Sequence, residues 1–235
     1  MKSSSCQQLL DFPLASAATF ETFIEAGDGQ VTRMLKEMFC TGGFQPQVFL
    51  WGQQGVGKTH LLQAVCHYAG EQKVGAIYLP LKSFVSNSAV VLDGLESMPF
   101  ICVDDLDTVC GIGEWERALF NLINRSREFG TTIIFASTIG LQELRIELRD
   151  LQSRLSWGPV FRLEVLSEDQ RVEVLRKYAS VREFDLPDEV ISYLLNHFPR
   201  DLASMLEVLG RLDEASLREQ RKITVPFLKQ LIALD

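Results

Sequence analysis

The sequence has no uninterrupted apolar run of the roughly 18 residues that a membrane-spanning helix needs. It lacks a CxxC pair, and an odd set of cysteines argues against a disulfide framework or a zinc site; they are Cys6, Cys40, Cys66, Cys102 and Cys110. It also lacks the surplus of basic residues that is typical of proteins that bind duplex DNA. It has 23 Lys and Arg against 31 Asp and Glu, a net charge of −8. We therefore expect a cytoplasmic protein, away from membranes, whose partners are proteins or small anions.

What the sequence does contain is typical of a folded globular protein. Hydrophobic residues make up 46% of the 235 positions and charged residues 23%, which excludes general disorder. A chain of this length forms one large domain or two small ones.

Several short apolar runs predict buried β-strands. Several of them are continuously apolar rather than alternating, and helical patterns over 58–69 and 114–129 separate them. Because strands buried on both faces read in this way, we expect a parallel sheet covered by helices. The predicted strands are 48–51, 75–81, 100–103, 131–136 and 160–165.

After residue 166 the patterns indicate helices only. Ser167 to Gln170 form a predicted capping box at the start of one helix, and Pro187, Asp201 and Pro226 mark the starts of three more. The sequence thus predicts a tail over 1–18, an α/β domain over 19–166 and a small helical domain over 167–235.

A phosphate-binding loop follows the first predicted strand. The stretch GQQGVGKT matches the pattern GxxxxGK[ST] and leads into a helix. Backbone N–H groups of such a loop surround an anion at the positive end of the helix, the lysine reaches the β- and γ-phosphates, and the threonine hydroxyl ligates Mg²⁺. The predicted nucleotide-binding residues are Gly52, Gly55, Val56, Gly57, Lys58 and Thr59.

A second element agrees with this loop. The strand FICV ends in Asp104 and Asp105, about 45 residues after the loop, as a Mg²⁺-holding strand of an ATPase does. We expect Asp104 to hold the metal through water. Asp105 stands where many ATPases carry a glutamate that orients the attacking water, and its shorter side chain predicts weak intrinsic hydrolysis.

The combined motifs resemble the AAA+ ATPases and, within them, the DnaA-related branch. The stretch Thr19–Phe23, TFETF, resembles the segment that lies beside the adenine in DnaA-type proteins, and GKTHLL resembles their phosphate loop. The resemblance implies that Phe23 and His60 belong to the nucleotide site, with ADP or ATP and Mg²⁺ as ligands. By itself, His60 also fits a packing or surface residue.

Three further roles follow from the same resemblance. Ser137 falls at the sensor 1 position, although strand ends often carry serine. Arg154, within LQSRLSWG, resembles the arginine finger, and a surface ion-pair arginine is the alternative. Arg200, within FPRDL, resembles the sensor 2 arginine, and a domain-boundary arginine is the alternative.

Within the branch, the sequence resembles the Hda family of DnaA regulatory inactivators. The stretch QRKITVPF at 220–227 matches that family, and no helix-turn-helix segment of the DnaA type follows it. The resemblance implies a negative regulator of replication initiation that stimulates hydrolysis of the ATP bound to DnaA, with ADP as its own nucleotide. It leaves a homo-oligomer open.

The same family carries an N-terminal peptide that binds the DNA polymerase III sliding clamp, its β subunit. The residues that offer such a peptide here, in a register that the sequence leaves open, are Gln7, Gln8, Leu9, Leu10 and Phe12. Extended peptides of this kind bind through a few anchors, and DNA would be contacted indirectly through the clamp. A tail that packs on its own domain is the alternative.

Two other functions fit the same motifs. An autonomous DNA-remodelling or helicase-loading ATPase would use the same fold, but the acidic charge and the missing helix-turn-helix argue against it. A non-catalytic adaptor would bind the clamp and DnaA without a contribution from Arg154.

Overall fold

The computed structural model describes residues 14, 18–26, 29–40, 47–198 and 202–233. The chain divides into two compact units between Glu164 and Val165. The first unit contains the parallel sheet and the phosphate loop, and the second contains helices.

The described part of the first unit alternates strands and helices. Its helices are α1 Gln30–Glu37, α2 Lys58–Glu71, α3 Gly113–Phe129 and α4 Arg149–Leu155, and its strands are β1 Gln47–Trp51, β2 Ala76–Pro80, β3 Phe100–Asp104, β4 Thr132–Ser137 and β5 Val160–Arg162. Short 3₁₀ turns lie at Leu81–Ser83, Ala89–Leu92, Leu95–Ser97 and Leu106–Thr108. Helix α1 was not predicted from the sequence.

The five strands form one sheet in the order β2-β3-β4-β1-β5, and every neighbouring pair is parallel. This confirms the predicted parallel α/β architecture. Strand β5 is shorter than the predicted 160–165, because β1, its neighbour in the described sheet, ends at Trp51 opposite Arg162.

Both faces of the sheet are buried along its central strands β3, β4 and β1, as the continuous apolar runs predict. Along β1, Phe49 packs with Ile101 and Trp115 on one face, whereas Val48 and Leu50 belong to a cluster on the other face. Helix α3 covers the first face and α2 the second. Gly130 is the C-cap of α3, in the left-handed conformation (φ 73°) that glycine adopts readily.

The second unit contains helices and no strands among its described residues. Its helices are α5 Glu168–Val181, α6 Asp188–His197, α7 Leu202–Glu219 and α8 Val225–Ile232. The predicted capping box at Ser167 and Gln170 is present with both of its hydrogen bonds. Pro187 is the N-cap of α6 and Pro226 lies in the first turn of α8, so both mark helix starts as predicted. Asp201 lies outside the described residues.

None of the helices in the described ranges combines the length and the apolar character that crossing a bilayer requires.

Candidate nucleotide-binding site

The phosphate loop joins the end of β1 to the start of α2. Gly57, the N-cap of α2, has φ 96°, and a Cβ atom there would lie 2.7 Å from Cε2 of Phe23. A Cβ atom on Gly52 would lie 2.5 Å from the carbonyl oxygen of Leu163. Only glycine satisfies both the backbone conformation and the close packing at these two positions, which allows the tight turn that a phosphate-binding loop needs.

Lys58 lies inside this loop rather than in solvent. Its Nζ donates to the carbonyl oxygens of Gly52 at 2.6 Å and Gln53 at 2.9 Å, and the residue is only 6% exposed. Burial lowers the pKa of Lys58, and the nearby Asp104, Asp107 and Asp105 partly oppose that shift. A phosphate in the loop would replace the neutral carbonyls by a stronger, charge-assisted partner.

Asp104 connects the loop to the end of β3. Its Oδ2 accepts hydrogen bonds from Thr59 Oγ1 at 2.6 Å and from the Tyr78 hydroxyl at 3.0 Å, while Oδ1 accepts from the backbone N–H of Asp105 at 2.9 Å. Asp104 is 1% exposed. Burial, followed by the negative charge of Asp104, raises the pKa of Tyr78, so the phenol stays a donor.

The residues present fit Mg²⁺ bound together with a nucleotide. Mg²⁺ prefers one or two protein oxygens, with phosphates and waters completing an octahedron. Thr59 Oγ1 and Asp104 Oδ2 supply such a pair at one spot. Across the described ranges, no group of three or more His, Cys, Asp or Glu side chains is arranged to hold a metal without a nucleotide.

Asp105 and Asp107 complete an acidic edge at the end of β3. Asp105 has a left-handed backbone, φ 56°, and burial followed by the charges of Asp104 and Asp107 raises its pKa. Burial acts to raise the pKa of Asp107, but several hydrogen bonds, those from Thr138 first, lower it overall. The bonds from Thr138 are donated by its N at 3.0 Å and its Oγ1 at 2.5 Å.

Ser137 lies at the end of β4, between this acidic edge and the loop. It is fully buried, its Oγ accepts from the backbone N–H of Ile139 at 3.2 Å, and its carbonyl accepts from Gly52 N at 3.2 Å. A hydrogen bond from Ser137 also helps to lower the pKa of Asp107. The serine therefore links the phosphate loop to the third carboxylate of the cluster.

The segment that begins at Thr19 packs on the first turn of α2. His60 Nε2 lies 2.9 Å from the carbonyl oxygen of Thr19 and 3.2 Å from Thr22 Oγ1, and its ring centroid is 5.4 Å from that of Phe23. A carbonyl oxygen can only accept, so neutral His60 carries its proton on Nε2. Burial is the main cause that lowers the pKa of His60.

Arg154 lies on α4, where α3 and Trp157 hold its guanidinium. Its Nε donates to Asn124 Oδ1 at 2.9 Å, and its Cζ lies 4.0 Å from the centroid of the Trp157 ring and 5.4 Å from that of Phe120. Arg127 stacks near the same indole at 4.6 Å. Its partners in the described chain are neutral, and no ion pair to Arg154 occurs among those residues.

Two models of known families match this chain. The family model "Bacterial DnaA ATPase domain" matches residues 14–162, which include the loop, the acidic strand and α4. The chain belongs to the DnaA-related AAA+ ATPases. A second family model, "Hda, lid domain", matches residues 168–232, so this DnaA-related replication regulator carries an Hda-type lid.

Individual relatives agree with that family. An uncharacterized protein of Haemophilus influenzae is 41% identical over 192 residues, covering 81% of this chain and 83% of the relative. The crystal structure of domain III of the Thermotoga maritima replication initiation protein DnaA superposes with a TM-score of 0.75 at 22% identity, covering 94% of this chain and 98% of that one. The AMPPCP-bound DnaA of Aquifex aeolicus gives a TM-score of 0.68 at 24% identity, covering 87% and 67%.

In this DnaA-related site the structure brings most of the predicted residues together. The loop, Thr59, Asp104, Asp105 and Ser137 meet at the carboxyl edge of the sheet, and Phe23 and His60 lie beside the loop. Gly55 has φ 82°, and Val56 is buried in the α2-side core. Arg200 and the candidate clamp-binding residues lie outside the described residues.

Three participants were not singled out by the sequence analysis as site residues. Tyr78 contacts Asp104 only because β2 and β3 pair in register, and no motif marks it. Thr138 binds Asp107, the third acid of the cluster that follows β3. Asn124 reaches Arg154 from α3, 30 positions earlier in the chain, which no local pattern reveals.

Proposed function

We propose that this protein is a negative regulator of DNA replication initiation, which stimulates hydrolysis of the ATP bound to DnaA. The support is a DnaA-type ATPase unit joined to an Hda-type lid. The observation that carries the proposal is the environment of Arg154. Its charge is held by an amide and aromatic rings rather than neutralised by a carboxylate, so it stays available for a phosphate of another molecule.

In this proposal Arg154 acts as an arginine finger in trans. A guanidinium placed against a γ-phosphate stabilises the charge that develops during hydrolysis, and such a finger accelerates the reaction by about 10³ to 10⁵. A surface ion-pair arginine, the alternative raised by the sequence, would have a carboxylate partner, and the contacts of Arg154 in the described chain are with Asn124, Trp157 and Phe120.

The protein's own site would bind ADP or ATP with Mg²⁺ and would be mainly structural. Lys58 and the loop N–H groups would hold the phosphates, Thr59 and Asp104 the metal, and Phe23 with His60 would border the base. A bound metal ion would neutralise phosphate charge. Asp105 and Ser137 would orient water poorly, since the aspartate is shorter than the usual glutamate. Arg200 would sense the phosphates from the lid.

The N-terminal residues from Gln7 to Phe12 would tether the protein to the sliding clamp on DNA. The chain would then reach DNA indirectly, in the cytoplasm, and find DnaA at sites of recent replication. This part of the proposal is supported by the sequence resemblance alone.

The test measures how fast ATP bound to DnaA becomes ADP when clamp-loaded DNA and this protein are present. Wild type should accelerate hydrolysis, and Arg154→Ala should remove nearly all of the acceleration. Arg149→Ala is the matched control, because it removes an exposed positive charge from the same helix. Replacing both Leu10 and Phe12 by alanine should weaken the acceleration of hydrolysis if the protein acts through the clamp, and should leave it unchanged if it does not.

The same assay separates the rival functions. If Arg154→Ala keeps full activity while the tail variant loses it, the protein is an adaptor. If wild type leaves DnaA unaffected but shows DNA-stimulated turnover of its own above ~1 per second, a vigorous rate for such an enzyme, the protein is an autonomous ATPase.

A further inference from the structure

Glu116 is a buried carboxylate that the nucleotide site does not use. It lies in the first turn of α3 and is 1% exposed. Its Oε1 accepts from the backbone N–H of Gly111 at 2.7 Å and of Glu147 at 3.1 Å, and its Oε2 accepts from Glu147 N at 3.2 Å and Leu148 N at 2.8 Å. A buried charge is costly unless it is hydrogen-bonded in this way.

These bonds fix the start of the helix that carries Arg154. Leu148 is the N-cap of α4, and its own side chain provides no capping hydrogen bond. Glu116 binds the N–H groups of Glu147 and Leu148, the two residues that lead into the helix. Helix α4 has seven residues, and a helix of that length is not stable without tertiary contacts.

Gln47 holds the opposite end of the same helix. Its Nε2 donates to the carbonyl oxygens of Arg154 at 3.1 Å and Leu155 at 2.7 Å, which belong to the last turn of α4. Such terminal carbonyls have no partner within the helix itself. Gln47 is the first residue of β1 and is 2% exposed, so this contact ties the end of α4 to the rigid sheet.

We propose that Glu116 and Gln47 are positioning residues for Arg154. By holding the two ends of α4, they keep the Arg154 guanidinium against Trp157. The inference rests on the proposed finger role of Arg154. Neither side chain touches the guanidinium, and both act through the backbone of α4. Because a displacement of about 1 Å from the reactive geometry can cost 10²-fold in rate, a loosened helix lowers activity without loss of the arginine.

The test combines a spectroscopic probe with the DnaA assay. The full chain is labelled with 5-fluorotryptophan at its three tryptophans, and the Trp157 resonance is assigned by Trp157→Phe. Arg154→Ala defines the resonance of an indole without its arginine. Glu116→Gln and Gln47→Met should move the Trp157 resonance towards that position, and each should lower the maximal DnaA-ATP hydrolysis rate about tenfold. The half-saturating concentration should stay unchanged.

Glu114→Gln is the matched control for Glu116→Gln. Glu114 lies in the same first turn, but it is exposed and accepts from Ser88 Oγ and Ala89 N rather than from residues near α4. Both substitutions remove one carboxylate from the first turn of α3, so the control shows what loss of a carboxylate at that helix end does without loss of the contacts to α4. The control should leave the Trp157 resonance and the hydrolysis rate as in wild type. If Glu116→Gln does not fold, Gln47→Met decides.

The outcomes separate this inference from the proposed function. If the Trp157 resonance stays in place in both variants, Glu116 and Gln47 do not position Arg154, even if wild type stimulates hydrolysis of the ATP bound to DnaA. A rate loss without movement of the resonance overturns the inference as well. If the resonance moves as expected but wild type does not stimulate hydrolysis of DnaA-bound ATP, the positioning of Arg154 by Glu116 and Gln47 is supported and the proposed function is wrong.

Discussion

Thr59 and Asp104 are in direct contact: the threonine Oγ1 donates to the aspartate Oδ2 over 2.6 Å, although 45 positions separate them. Thr59 begins α2, and Asp104 ends β3, so the contact joins the phosphate loop to the acidic edge of the sheet. The two oxygens that Mg²⁺ would use are therefore already adjacent without any motion of the backbone.

Thr59→Val should abolish the contribution of Mg²⁺ to nucleotide binding. Valine keeps the branched shape but removes the hydroxyl, and Thr59 is exposed, so the fold should be unaffected. We expect nucleotide affinity in Mg²⁺ to fall about tenfold, the scale of losing one charge-assisted contact, while affinity in EDTA is unchanged. Titration with a fluorescent nucleotide in both buffers measures this. An undiminished Mg²⁺ effect in the variant would exclude Thr59 as a ligand.

His60 should make the folding stability depend on pH. Burial lowers the pKa of His60 in the folded state, whereas the unfolded chain has the ordinary value near 6.5. Below that value the unfolded state binds the proton first. The stability that neutral His60 provides is therefore complete above about pH 6.5 and is lost as the pH falls through the lowered folded pKa.

The measurement is the difference in Tm between pH 7.5 and pH 5.5. His60→Gln should show a smaller loss of Tm on acidification than wild type. His197→Gln, which removes an exposed histidine that stacks on Tyr193, should retain the wild-type loss. Equal losses in wild type and His60→Gln would contradict the prediction.

Two glycines should respond to alanine in opposite directions. At Gly158 a Cβ atom would lie 2.6 Å from the carbonyl carbon of Gln47 and closer still to its oxygen, so overpacking should lower the free energy of unfolding by about 1–3 kcal/mol. At Gly70, in α2, a Cβ atom would meet nothing within 4 Å, and alanine should raise the free energy of unfolding by about 0.5–1 kcal/mol. Urea denaturation of both variants checks the contrast.

Most of the fold follows from local patterns in the sequence. The continuous apolar runs predict buried parallel strands, because a strand covered on both faces needs apolar side chains on both. The loop pattern GxxxxGK[ST] and the acids after FICV predict the nucleotide site, because glycine backbone freedom and carboxylate charge are properties of the residues themselves. The capping box at Ser167 is equally local.

Strand β5 and helix α1 show where local patterns are insufficient. The predicted strand 160–165, VFRLEV, gives no sign that pairing stops at Arg162, since that limit is set by the end of β1. Val31 and Leu35, the two buried residues of α1, form too short a periodic pattern to predict a helix without the core against which they pack.

The sequence by itself determined that this chain is a parallel α/β nucleotide-binding protein with a helical second unit, because period, glycine placement and charge act over a few neighbouring residues. Only the tertiary structure decided which distant side chains meet: Tyr78 with Asp104, Asn124 with Arg154, and Glu116 with the start of α4. Those contacts depend on strand order and on how helices cross the sheet. They are therefore set by the packing of the whole core, which no short stretch of sequence specifies.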